Sequence, residues 1–165
     1  MRRFALLIIT PAAAIVLAAS PALADNPHFL TASNSVSRTT GALTTSFKDA
    51  GLGTGTSSVE ITVNVSTATA AYQCFNNGGN HPKAGNKETV STALAASGTF
   101  PVRHGQTTGS LSVGPPSPGS FSCPSGQTLF LQSATYAGIV VSDATGNSLG
   151  ATPDPISTGA IHVPA

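Results

Sequence analysis

The sequence predicts an all-β protein: an antiparallel β-sandwich, immunoglobulin-like in general architecture, with one disulfide. A small β-barrel is the alternative. Three observations predict it. Charged helix formers are scarce, and Ser, Thr, Val and Gly dominate beyond residue 24. Apolar and polar residues alternate with period two along several segments, as half-buried strands require. Turn residues separate these segments, which gives about seven or eight short strands.

The elements follow in order. Residues 29–38 and 42–48 flank a turn at 39–41. Val59, Ile61, Val63 and Val65 alternate with polar partners, a strand with one buried face. Farther on, Ala68, Ala70, Tyr72 and Cys74 share a face, so the apolar parity flips. A strand swaps faces only through a bulge or bend, which is expected near Thr67. Residues 89–96 form the next strand, with Val90, Leu94 and Ala96 on one face. Segments 99–103 and 107–113 predict a hairpin around His104-Gly105-Gln106. The run 114–120, GPPSPGS, is a stiff connector, because proline cannot donate to a β-ladder. The run 127–142 is the longest and is expected to sit centrally. It carries Leu129, Leu131, Ile139 and Val141 on one parity, with Phe130 and Tyr136 on the other. DATGN at 143–147 is turn chemistry.

The domain organisation is equally legible. Arg2 and Arg3 precede an apolar run, and Ala22 and Ala24 end it with the small residues a signal peptidase needs. Residues 1–24 are therefore expected to be a cleaved secretory signal, with the protein secreted and extracellular. Residues 25–147 are expected to form the β-sandwich. Residues 148–165, with Pro153, Pro155 and Pro164, form a tail or an edge strand. Beyond the signal, five Lys/Arg stand against six Asp/Glu, a net charge of −1. No basic patch is visible, which argues against a nucleic-acid partner, and no later segment is apolar enough to insert in a membrane. Cys74 and Cys123 are the only cysteines, and in an exported chain they are expected to pair.

The densest stretch is AAYQCFNNGGNHPKAGNKETV, 70–90. Its asparagines and glycines accept positive φ cheaply, so it reads as a structured loop rooted at the disulfide. A loop of this length either stabilises itself or recognises a ligand. The candidate ligand-binding residues are Phe75, Asn76, Asn77, Asn80, His81, Lys83 and Asn86, offering donors and acceptors to a polar extracellular ligand or a protein. Most of the few aromatic residues are needed for the core, so carbohydrate is not the favoured ligand; Phe75, which opposes Tyr72 and Cys74 in parity, is the candidate exposed stacking ring.

Catalytic signals are weak. A zinc site from His81 and His104 lacks a third ligand at suitable spacing, and no cofactor motif is complete. A glycosidase needs two carboxylates across a cleft; the sequence does not pair Glu60 with Asp143, and solvated surface charge is the expectation for both. GxSxG is absent. The function expected is a non-catalytic binding or structural module presenting the 76–86 loop. The alternative is a protease or hydrolase inhibitor, or a small extracellular hydrolase, with the 114–120 loop as a second candidate inhibitory surface.

The segments SFKDAGLG at 46–53, YQCFNNGGNHPKAGNK at 72–87 and ATYAGIVVSD at 134–143 resemble a group of small secreted proteins of actinobacteria, for which no activity is established. The resemblance implies secretion and a β-rich domain, and implies no catalytic residue.

Overall fold

Alternation between apolar and polar residues carries almost the whole chain into strands. The computed structural model describes residues 26–76 and 82–165, and of residues 82–85 the backbone alone. It contains nine strands and no helix among the described residues. Strands β1 (His28–Val36), β2 (Leu43–Ala50) and β5 (Gln106–Val113) make one antiparallel sheet in the order β1-β2-β5. Strands β3 (Ser58–Asn76), β4 (Pro82–Pro101), β6 (Gln127–Asp143) and β7 (Ser148–Gly150) make the second, in the order β4-β3-β6-β7. Two short strands, β8 (Ile156–Ser157) and β9 (Val163–Pro164), also pair with β6. The sheets pack face to face without closing into a barrel. The proposed signal, 1–24, lies outside the described residues.

The flip of parity in β3 is where the sequence places it. Val59, Ile61, Val63 and Val65 are buried, Ser66 and Thr67 are both exposed, and burial resumes at Ala68, Ala70, Tyr72 and Cys74. Against β4 the register slips between Val65 and Ala68, the mark of a bulge. The segment from Ser148 is stitched along the edge of β6 by three short strands, so β6 is central, with β3 on its other side.

Two expectations need correction. The hairpin around His104 is made only at its tip. Arg103 and Gln106 exchange backbone hydrogen bonds of 2.8 and 3.1 Å across His104 and Gly105, both at positive φ. Beyond that rung the strands part: β4 continues along β3 and β5 joins β2 in the other sheet. Segments 89–96 and 99–103 are accordingly not two strands but parts of the single β4 and its exit. In β6, Tyr136 does not oppose Ile139 and Val141. All three are fully buried in the same core, because β6 bends at Gly138 in step with the bend of β3. A second slip, at Gln132, brings Leu131 inward as well.

Strand lengths fix what the two sheets can cover. The strands of the first sheet are 8 or 9 residues long, against 19 for β3 and 20 for β4. At ~3.3 Å per residue the first sheet spans roughly half of the second. That half holds the main core, with Leu43, Phe47, Ile61, Val63, Tyr136 and Ile139 among its members. The other half holds a smaller core of Ala70, Tyr72 and Leu131, packed against Phe121, Leu129, Ile161 and Val163. Residues 114–126, with the C-terminal segment, supply its second layer. Pro116 is fully buried there and accepts a 2.6 Å hydrogen bond from Tyr72 Oη. The Cys74–Cys123 disulfide, with Cα atoms 5.6 Å apart, fastens this layer to β3.

Tyr136 makes the corresponding bond in the main core, donating to the Gly41 carbonyl at 2.6 Å. Burial pushes its phenol up to about 12, so it remains a donor through the neutral range. Tyr136→Phe strands a buried carbonyl and is expected to cost about 1–3 kcal/mol in denaturant unfolding.

Candidate functional site

The loop is rooted where β3 ends. Cys74 is buried and points into the smaller core, while Asn76 is exposed. On the returning strand, Asn86 is half-buried and its Nδ2 donates to Gln127 Oε1 at 2.9 Å. That bond ties the start of β4 to the start of β6 across the end of β3. Asn77, Asn80 and His81 lie outside the described residues, and so does the side chain of Lys83.

Phe75 keeps the expected parity but not the expected exposure. It is 8% exposed. Its ring meets Phe130 edge-on at 5.4 Å between centroids and His162 edge-on at 4.5 Å. His162 stacks on Phe130 at 3.8 Å with 11° between planes. Local alternation explains the assembly. Ile161 and Val163 turn into the smaller core, which leaves His162 on the outer face of the sheet, over Phe130. Gln132 Nε2 donates to His162 Nδ1 at 3.1 Å, which leaves the ring proton on Nε2. The exposed flat ring at the loop root is therefore His162, with Phe75 and Phe130 as its support. Sequence reasoning missed it because an isolated histidine near the C-terminus carries no signal of a distant aromatic partner.

Among the described residues this arrangement is a surface platform, not a pocket. A cleft of ≈ 210 Å³ lies nearby, lined by Tyr72, Pro115, Pro118, Leu131 and Val163. It sits between the proline connector and the C-terminal segment, on the inward side of β6. The connector itself is seated by Pro116, Phe121 and Cys123, with Ser117, Gly119 and Ser120 exposed.

Of the two carboxylates expected at the surface, Glu60 lies there and Asp143 does not. Glu60 is exposed on the outer face of β3. Asp143 turns inward, 8% exposed, so the pair does not face a common cleft. Asp49 also turns inward, from β2, which meets β6 across the core. It is wholly buried and near enough to sense the charge of Asp143, and its two carboxyl oxygens meet no donor at hydrogen-bond geometry. Burial raises the proton affinity of Asp49, and the charge of Asp143 adds to that. Asp143 is also opposed by burial, but hydrogen bonds from Thr145 and Asn147 outweigh it and hold its carboxyl below the usual value. His104 stands exposed in its turn. Among the described residues, no group of three or more His, Cys, Asp or Glu is placed to hold a metal ion. Likewise, no helix among them is long and apolar enough to cross a membrane.

Compared with models of protein families and with curated proteins, the chain matches none.

Proposed function

We propose that the protein is a secreted, non-catalytic binding module that lays the root of its 76–86 loop over an extended, uncharged polar polymer, of which polysaccharide is the type. The observation that carries this reading is the His162 ring, exposed on one side and held by Phe130 and Gln132 at the root of a polar loop. A ring fixed in this way loses little conformational freedom on contact, and its free face and Nε2–H suit a hydroxylated surface. Asn76, exposed next to Phe75, adds a donor and an acceptor at the same root, and the sequence of the loop is rich in further amide groups. A platform without a deep pocket fits a polymer laid along the surface better than a small molecule, which needs enclosure.

The test is recovery of purified protein on insoluble polysaccharides and on cell walls. His162→Ala and Asn77→Ala, separately and together, are expected to reduce recovery by on the order of tenfold on any matrix that retains the parent. Because His162 is exposed, its removal leaves the fold intact, and matched thermal melts check this. Equal recovery of parent and double variant on every matrix would sink the proposal.

A further inference from the structure

The end of the sandwich opposite the disulfide holds two inward carboxyl groups, one from each sheet. Asp49 follows Leu43, Thr45 and Phe47 on the inward face of β2, and its own exposure is 0%. Asp143 ends β6 and is 8% exposed. Their surroundings are unlike. Asp143 accepts from Thr145 N at 2.8 Å, Thr145 Oγ1 at 2.7 Å, Asn147 N at 3.0 Å and Asn147 Nδ2 at 3.3 Å. These donors favour its charged form. Neither oxygen of Asp49 meets a donor at hydrogen-bond geometry, and the nearby Ala50 N–H favours its charged form by less than burial and Asp143 oppose it. An ionised Asp49 would be a buried charge without a partner, facing a second negative charge, and each of these alone is costly. Two carboxylates repel, whereas a carboxylic acid beside a carboxylate forms a charge-assisted O–H···O bond.

We infer that Asp49 holds a proton in the folded protein at neutral pH and donates it to Asp143, so that a hydrogen bond sensitive to alkali clips the two sheets together at this end. Asp49 is sealed from solvent, which leaves the pair no access to a substrate.

The other charged groups nearby do not supply the missing partner. His28 of β1 lies close enough to favour the charged form, but it is exposed and bonds the Asn26 carbonyl through Nδ1. The residues in register with Asp49 are Phe29 and Thr107, neither of them charged. Lys48 and Glu60 alternate with inward residues and so project from the opposite faces of their strands, and Arg103 is exposed.

The direction of the pH dependence follows. An acid that binds its proton more tightly in the folded state stabilises the fold fully below its ordinary value of 3.8. That contribution is lost as pH rises through the raised value, by up to about tenfold in the unfolding constant per pH unit. Asp143 acts in the opposite sense. Its contribution is present above 3.8 and is lost as pH falls through its lowered value. Stability is thus greatest in mild acid and declines toward alkali.

The experiment is thermal unfolding of the full chain between about pH 4 and 9, with infrared spectroscopy of the carboxyl stretch. The parent is expected to lose stability as pH rises and to show one protonated-carboxyl band at neutral pH. Asp49→Asn keeps the shape and supplies a permanent donor to Asp143, so it should abolish both the band and the Asp49-linked decline. If that variant fails to fold, the parent's band decides alone: its presence supports the pairing and its absence overturns it. A saturable rise in Tm with added calcium at neutral pH would also overturn it, because a cation would then hold both carboxylates ionised.

Discussion

Replacing both cysteines, Cys74→Ala with Cys123→Ala, is expected to destabilise the protein by about 4 kcal/mol and to lower its Tm by roughly 10–15 °C. The loop the bond closes spans 49 positions, and forbidding its open states in the unfolded chain accounts for most of the effect in a chain-entropy description. The structure adds where the damage falls. The disulfide holds residues 114–126 over the smaller core, which has only Ala70, Tyr72 and Leu131 as fully covered members. Without it, the layer rests on the Tyr72–Pro116 hydrogen bond and on Phe121. Amide exchange is therefore expected to speed up around Tyr72–Cys74 and Leu129–Leu131, while the segments around Ile61–Val65 and Ile139–Val141 keep their protection below the global transition. An even loss of protection along β3 would show that the two cores are one cooperative unit and that the bond acts only through the unfolded chain.

That division of labour revises what the cysteine pair is for. From sequence, the bond frees the loop between its ends for display. In the structure its nearer task is to complete a sandwich whose second sheet is twice as long as its first. Alternation shows which residues turn inward, but it says nothing of what lies opposite them. Residues 114–120 read as a stiff connector because proline cannot donate to a ladder, and nothing in that reading shows that Pro116 is among the most deeply buried residues.

The bulge in β3 was legible because parity flips between Val65 and Ala68 with no turn residue between them. The bend in β6 carries an equal signal in Gly138, but Leu131 and Ile139 share a parity, which conceals the two offsetting shifts between them. The His104 turn was legible from its residues, whereas the parting of its strands was not, since nothing local distinguishes β2 from β4 as the partner of β5. Asp49 continues the period of Leu43, Thr45 and Phe47, so its inward direction was written in the pattern. Charge argued for the surface, and the compensating neighbour, Asp143, lies 94 positions away. The ring stack was out of reach for the same reason, because Phe75, Phe130 and His162 meet only through tertiary packing.

The sharpest test of the shared bend is Gly138→Val, expected to cost about 3 kcal/mol or more. Gly138 has φ +66°, a conformation that a β-branched residue adopts only under strain. A Cβ there would lie 2.7 Å from both Cβ and Oγ of Ser66, across the point where β3 bends. The site cannot relax freely, because Asp154 receives the Gly138 and Ile139 N–H groups at 3.0 and 2.9 Å, and Ser66 Oγ donates to the Gly138 carbonyl. Two sources of strain are therefore superposed, one from the backbone and one from collision, and a second substitution separates them. Ser66→Gly removes the atoms that the new side chain strikes but leaves φ unchanged. The double variant should recover the collision part, on the order of 1–2 kcal/mol, and no more. Complete recovery in denaturant unfolding would mean that the backbone at 138 relaxes out of the left-handed region. The bends of β3 and β6 would then be separable, and the burial of Tyr136 beside Ile139 would need another cause.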